Sequence, residues 1–503
     1  MSSSSRELIL KNSIIYDAKN QINGETIDLL IRDGKIVESL KDESSAQEID
    51  GKGYITFPGF IDMRCHYYAQ ETIYHQLLNQ KHNTRNCIAS AQLLEKNALQ
   101  QGFTFLCEMD VPPTQSKIAL QNMTLGPLLD HLLIMDFGSN WAFMSDFETE
   151  NPVETIAYTL SMLLGIVKGG GISITCPYHQ QYWNLKPILP NSSIPIMKIL
   201  PQKLYSLFTK AANLHNISPY FLSPYFDEDN PITLLSILKE LGQQDFVLST
   251  VNHYFKSEWK ELEKIYSAQE NLVCEVTPFT TDHVNPLITR DRNFALSESK
   301  HSGIPMIAVD VEFDTEYYIT GRKFETDSPL QIDWVKLIQS FKKNCGLDRV
   351  ILSSNAPYNM CISDWSKHLA RLLTQSNHEL DLFDISRILS TNPAQIIGLD
   401  SRKGHLGVGA DADIVCFQGN PENINETLFK DSEIVMKNGN IVKKRTNLIT
   451  LDKPLGKIFW TEGNYDPLKM DKLRPKKEKF YDKRFSMYLE ALENPKISIM
   501  EKI

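Results

Sequence analysis

This chain of 503 residues has no clustered cysteines. Its eight, Cys65, Cys87, Cys107, Cys176, Cys274, Cys345, Cys361 and Cys416, are scattered without a CxxC pair. That excludes a zinc ribbon or an iron–sulfur cluster written as a local motif. No G-x-x-x-x-G-K-[ST] is present and no G-x-G-x-x-G opens a helix, so nucleotide phosphates have no ready cradle. Basic excess is missing too. There are 52 Lys and Arg against 62 Asp and Glu, a net charge of −10. A sequence-blind nucleic-acid binder would need the opposite balance. No window approaches the roughly 18 uninterrupted apolar residues of a membrane span. The opening, MSSSSRELILKN, lacks an apolar core of signal-peptide length. The expectation is a cytoplasmic protein with reduced thiols, away from membrane and nucleic acid. Low complexity is absent as well, with 24 Gly and 24 Pro. Hydrophobic content of 42% and charged content of 23% are ordinary for a soluble globular chain. The length allows two or three domains, or one large barrel with an appendage.

What is present begins with strands. Leu8–Leu10, Ile14–Tyr16 and Asp28–Ile31 are apolar runs, and Asp33-Gly34 before Ile36-Val37 is a hairpin signal. A matching segment lies near the other end, where Ala412–Phe417 and Ile434–Met436 lead through Asn438-Gly439 into Ile441-Val442. Two small β segments thus bracket a long stretch of different character. The simplest geometry is one small β-sandwich built from both chain ends, residues 1–57 and 400–447, with residues 58–399 inserted between them.

The inserted stretch alternates strand and helix. Tyr54–Asp62 reads as a strand entering a loop, Ile88–Gln101 as a helix and Gly102–Cys107 as a strand. Ile156, Leu160, Leu163, Leu164 and Val167 make one apolar helix face, which Gly169-Gly170-Gly171 is expected to stop before the strand Ile172–Ile174. Ile232–Leu241 and Trp334–Phe341 read as helices. Phe246–Leu248, Asn271–Thr277, Pro305–Val309 and Arg349–Leu352 read as strands. Repeated β-then-α over this length predicts a (β/α)8 barrel of the TIM type. Residues 448–503 form a C-terminal arm. From residue 453 on it carries 12 Lys or Arg against 8 Asp or Glu, mixed with Phe459, Trp460, Tyr465, Phe480, Tyr481, Phe485 and Tyr488. Such an arm either wraps its own barrel or docks on a partner through aromatic and basic anchors. The expectation is that it serves assembly more than folding.

A barrel of this kind holds its chemistry at the C-terminal ends of its strands. Phe57-Pro58-Gly59-Phe60-Ile61-Asp62-Met63-Arg64-Cys65-His66 reads as the first such end. The chain continues to Asn392-Pro393-Ala394 and to Gly404 through Gly409-Ala410-Asp411-Ala412-Asp413. In this order the motifs resemble the amidohydrolase superfamily. Gly102-Phe103-Thr104, Glu108, Pro112-Pro113, Gly138–Trp141 and Lys168–Ile172 narrow the resemblance. They are similar to the A-type subunit found in formylmethanofuran dehydrogenase and in the bacterial formyltransferase/hydrolase complex, patchily from about residue 8 to 445. Dihydroorotase-like chains share only the outer motifs.

The resemblance implies one-carbon chemistry at an N-formyl bond and a two-zinc centre. Zinc lowers the pKa of a bound water from about 15.7 to about 7. That is roughly 12 kcal/mol of nucleophile generation at about 1.36 kcal/mol per unit. Carried over by position, the ligands fail. Arg64 replaces the first His of HxH, although His66 keeps the second. The bridging Lys falls on Ser173, the fifth-strand His near Ser223 and the sixth-strand His at Thr250. The eighth-strand Asp becomes Asn355, or Ser354 if the gap shifts by one. A site rebuilt from His253, His283, Cys65, Glu108 or Asp110 is the alternative, and only such a site would hold zinc. Cys65 as a nucleophile would need a positioned base and an electropositive setting.

The expectation is therefore an A-subunit-like protein without metal, cofactor or catalytic residues, structural or regulatory beside other formyltransferase/hydrolase subunits. The alternatives are an active amidohydrolase with an altered or metal-free site, acting on a C–N bond, and a degenerate dihydroorotase-like scaffold.

Overall fold

The computed structural model describes residues 7–69, 90–138, 149–175, 201–223, 246–254, 259–278, 285–289, 292–302, 306–312, 315–322, 333–356, 362–376, 379–425, 427–449, 453–485 and 499–503, with a few single positions besides.

Among them, the two chain ends make one nine-stranded sheet. Tyr54–Pro58 from the first end pairs antiparallel with Ile414–Gln418 from the second, Phe57 opposite Val415. Both anticipated hairpins form. Asp33 and Gly34 have φ of 51° and 84°, and Asn438 and Gly439 have 46° and 67°. Positive φ at both central residues is the primed turn that matches strand twist. The sheet folds over itself, so that Leu10, Leu29 and Ile31 share one apolar cluster with Ile414, Ile434 and Met436. The amide of Ala412 donates to the Gly34 carbonyl at 2.8 Å and stitches the halves together.

Tyr54–Asp62 is two strands rather than one. Tyr54–Pro58 belongs to this sheet and Phe60–Cys65 opens the barrel, with Gly59 between them. A Cβ on Gly59 would lie 2.2 Å from the Thr104 hydroxyl oxygen, so the crossover needs glycine. The eight barrel strands, all parallel to their neighbours, are Phe60–Cys65, Phe103–Val111, Asp130–Asp136, Gly171–Thr175, Tyr220–Ser223, Phe246–Leu248, Leu272–Val276 and Val350–Leu352. The first and eighth close through the His66 amide to the Ala356 carbonyl at 2.8 Å and the Asn355 amide to the Arg64 carbonyl at 2.9 Å. Pro305–Val309 is not a barrel strand, contrary to expectation. Ile307–Glu312 joins Asn285–Thr289 and Thr315–Arg322 in a separate antiparallel sheet between the seventh and eighth barrel strands. The expected helix Ile232–Leu241 lies outside the described residues apart from Leu238.

Side chains alternate along each strand. Ile61, Met63, Phe105, Cys107, Leu132, Phe221, Val247 and Ile351 fill one cluster inside the barrel. Their neighbours Leu106, Leu222, Leu248, Leu272 and Leu352 belong to the main core under the helices.

The helix Pro152–Val167 does not end on the glycine run. It ends one residue earlier, on Lys168, with φ of 56°. The glycines serve packing instead. A Cβ on Gly170 would lie 2.1 Å from a Leu132 methyl and 3.0 Å from the Phe459 carbonyl oxygen.

That last contact shows where the tail goes. Ile458–Trp460 pairs with the start of the third barrel strand, Phe459 opposite Leu132, and Met500–Lys502 pairs with Ile458–Trp460. The Thr461 amide donates to the Gly169 carbonyl at 2.8 Å, just below the fourth strand. Phe459 is fully buried in the interior cluster and stacks on Phe105 at 5.6 Å between centroids. The tail helix Pro467–Phe485 is anchored by a buried ion pair from Lys477 to Asp146. The tail is thus built into its own barrel, which corrects the expectation that it serves assembly more than folding.

One buried charge cluster joins all three parts. Asp130, at the start of the third strand, meets Lys437 at 2.5 Å and Lys403 at 2.7 Å. Asp413 meets the same two ammonium groups, and Asp130 also accepts the Lys457 amide of the tail at 2.9 Å. Burial works against charge on Asp413, but the two lysines outweigh it and hold the carboxyl far below its ordinary range.

Truncation after Asn447 should therefore lower the melting temperature sharply. Phe459→Ala in the full chain should cost about 3–5 kcal/mol, the usual range for a buried phenylalanine. Thermal and denaturant melts check both; a truncated chain that melts like its parent contradicts the tail's place in the core.

Candidate functional site

Polar side chains collect at the C-terminal end of the barrel interior. Arg64 lies at its centre and is 2% exposed. Strand parity alone would send it outward beside inward Met63, but the pairing of the first strand with the second is shifted between Asp62 and Cys65. Such irregularities re-aim side chains. The guanidinium donates from Nε to Glu275 Oε2 at 2.8 Å, from Nη1 to Asp110 Oδ2 at 2.7 Å and from Nη2 to Ser249 Oγ at 2.7 Å. These partners come from the seventh and second strands and from the end of the sixth.

Asp110 has φ of 56°, where a residue other than glycine is strained. Thr250 and Asn355, on the same rim, have 48° and 49°. Burial opposes the charge of Asp110, but Arg64 and His66 prevail and hold its carboxyl below the ordinary value. His66 Nε2 lies 3.0 Å from Asn355 Oδ1, and burial lowers this imidazole to about 4. It is neutral at physiological pH.

Two further carboxyls sit behind this centre. Asp62 accepts the Ser354 amide at 3.0 Å and the Ser354 hydroxyl at 2.5 Å, tying the first strand to the eighth. Burial raises it to about 7. Glu108 accepts the amides of Tyr67, Tyr68 and Ala69 at 2.7, 2.8 and 2.9 Å, and holds the turn after the first strand. Burial raises it to about 7 against those three donors.

The six positions singled out in the sequence all come to the C-terminal rim, but they do not form one constellation. Arg64, His66 and Asn355 lie together. Ser173 is fully buried between outward-facing Ile172 and Ile174, so it faces inward. Ser223 ends the fifth strand. Thr250 lies just past the sixth, where its neighbour Ser249 is the residue that reaches Arg64. Glu275 escaped the sequence reading altogether. Its signal was one charge inside the apolar strand Leu272–Val276.

Of the remaining candidates, those with described side chains, Cys65, Glu108 and Asp110, do not assemble a metal site. Cys65 faces away from Arg64, and burial raises its thiol well above the ordinary value, so it is not poised as a nucleophile. His253 lies in the short helix Val251–Tyr254, and His283 is outside the described residues. Among the described residues no group of three or more His, Cys, Asp or Glu is suited to a metal ion. A dinuclear centre does not fit the described residues. The carboxylates nearest the barrel axis are engaged by a permanent cation, and Arg, unlike Lys, does not deprotonate to make room.

The C-terminal motifs are structural. Asn392 donates to the carbonyls of Leu347 and Val350, each at 2.7 Å, and so locks its helix to the eighth strand. Asp411 and Asp413 pair with Lys403 at the other end of the barrel.

These features define a (β/α)8 barrel carrying an arginine at its centre. The comparisons agree: the sequence signature of the Amidohydrolase family matches residues 362–443. The chain is 24% identical to Protein FwdA of Methanocaldococcus jannaschii, over 88% of this chain and 89% of that one. A dihydroorotase of Elusimicrobium minutum is 34% identical over 103 residues, covering 20% of this chain and 21% of that one. Among solved structures, the formyltransferase/hydrolase complex FhcABCD of Methylorubrum extorquens, in complex with methylofuran, contains a chain that superposes with a TM-score of 0.83 at 15% identity, over 99% of both chains. A D-hydantoinase gives 0.53 at 15% identity, over 90% of this chain and 98% of that one. The chain has the amidohydrolase fold and is similar to Protein FwdA along most of its length, as the motif order implied.

A pH dependence follows from Glu108. Its folded pKa of about 7 lies above the ordinary value of 4.5, so the folded state keeps a proton that the unfolded state releases between those values. Stability from this group is full below about 4.5, falls as pH rises through about 7, and is flat above. At about 1.36 kcal/mol per unit the loss is on the order of 3 kcal/mol. Glu108→Gln cannot ionise and should gain on the parent as pH rises from 5 to 7.5 in paired melts; a constant difference contradicts the assignment.

Proposed function

We propose that this chain is an A-type subunit of a formyltransferase/hydrolase-type complex of one-carbon metabolism, acting in the cytoplasm, in which the barrel has a structural or regulatory role. The carrying observation is Arg64 paired with Glu275 and Asp110 where the resemblance places a dinuclear metal centre. Hydrolysis of an N-formyl bond at neutral pH needs an activated water, and neutral His66 facing the Asn355 amide does not replace a metal hydroxide. Asn355 has no proton to shuttle.

The reading as a member of such a complex is supported by the extent of the likeness. The FhcABCD chain matches over 99% of this chain with a TM-score of 0.83, whereas the D-hydantoinase and a D-aminoacylase reach 0.53 and 0.54. The partners are then the other subunits of such a complex, rather than nucleic acid or membrane. Among the described residues no helix is long and apolar enough to cross a bilayer.

Metal content, the response to chelator and co-purification test this. Protein purified from zinc-supplemented medium and washed free of loose metal should hold well below one equivalent by elemental analysis, and a strong chelator should leave its melting temperature unchanged. Two tightly held equivalents would overturn the reading of the barrel. Tagged full-length chain, recovered from its native host, should bring down formyltransferase-type subunits in fixed ratio; a monomer on native mass spectrometry of the same eluate counts against the complex.

A further inference from the structure

The centre of the barrel is laid out around a positive charge. Glu275 and Asp110 converge on one point from the seventh and second strands, and Ser249 adds a hydroxyl from the sixth. Below them the interior is apolar, with Met63, Cys107 and Val247. A fully buried Glu275 beside a partly buried Asp110, above such a layer, calls for a cation between them if both are to stay ionised. Pairing irregularities in both participating strands, between Asp62 and Cys65 and between Glu108 and Val111, bring the groups together. The left-handed backbone of Asp110 is held against its own strain at the same point.

We propose that Arg64 is the resident cation of this barrel, and that emptying its side chain uncovers a cation site with Glu275, Asp110 and Ser249 as donors. The planar fork suits the task. Nε, Nη1 and Nη2 each reach a different strand, which a single ammonium cannot do. The barrel then keeps the cross-strand tie of a bound ion while losing the open coordination position that catalysis requires. Arg64 is on this view a positioning residue. The inference rests on the reading that no metal occupies the barrel centre, but it is tested separately.

The test uses the full-length chain carrying Arg64→Ala. Its melting temperature should fall, and millimolar guanidinium, far below denaturing concentrations, should restore part of the loss with saturation. Sodium chloride and urea at equal concentration should restore none. Saturable rescue identifies a bound ion, because a ligand that binds only the native state adds stability as RT ln(1 + [L]/Kd). Should Arg64→Ala fail to fold, the comparison moves to Arg64→Met against the charge-free Arg64→Met/Asp110→Asn/Glu275→Gln, which should fold and melt higher. An Arg64→Ala chain as stable as its parent overturns the proposal. So does an unstable one that guanidinium does not rescue, or a charge-free variant no better than Arg64→Met. Metal analysis of the parent is independent: metal in the parent together with guanidinium rescue of Arg64→Ala would place that metal away from Arg64, sinking the reading of a metal-free chain and leaving this one standing.

Discussion

A guanidinium between the fully buried Glu275 and the partly buried Asp110 organises the centre of this barrel. Arg64 bonds Glu275, Asp110 and Ser249, and so ties the first strand to the seventh, to the second and to the end of the sixth. The rest of the polar layer is compatible with that choice. Ser173 and Ser249 are small enough to leave the guanidinium room, His66 is neutral, and Asn355 carries no charge. An isolated buried ion pair is weak evidence for stability, since desolvation offsets much of the attraction. Here the arrangement matters through specificity. One side chain from the first strand contacts groups from three others.

The opposite end of the barrel has its own charge cluster with a different task. Asp130, Asp413, Lys403 and Lys437 come from the barrel, from the residues leading back into the β sheet and from that sheet itself. Asp130 also takes an amide from the tail. The D-A-D motif that looks chemical in sequence is thus an internal clamp among three parts of the chain. Both ends of the barrel thus carry buried ion pairs.

Much of the fold was legible in the sequence, for identifiable reasons. Asp33-Gly34 and Asn438-Gly439 announced their turns because both central positions need positive φ. The apolar stripe from Ile156 to Val167 announced its helix. Ile307–Glu312 misled because an apolar run does not say which sheet it joins. The tail misled because Phe459 and Trp460, set among lysines, look like surface anchors, and only the pairing of Ile458 and Phe459 with His131 and Leu132 shows that the segment is buried. At the site, Arg64, His66 and Asn355 were legible because motif spacing brought them to strand ends. Glu275 was not, because a lone acid in a strand becomes meaningful only when the arginine it faces is known. Ser249 was missed by one residue, since the left-handed turn at Thr250 changes which side chain enters the barrel.

The position of the tail has a kinetic consequence. Ile458–Trp460 lies beside the third barrel strand, although some 320 residues separate the two in sequence, and Met500–Lys502 follows only at the end of the chain. At the usual 5–20 residues per second of synthesis, the third strand waits roughly 15–65 s for its neighbour to leave the ribosome. For that interval Leu132 and Phe105 lack the aromatic ring that will cover them, and the nascent barrel carries an open, apolar seam. Completion of the fold is therefore coupled to completion of the chain, and nascent-chain chaperones have a defined segment to shield until Phe459 arrives.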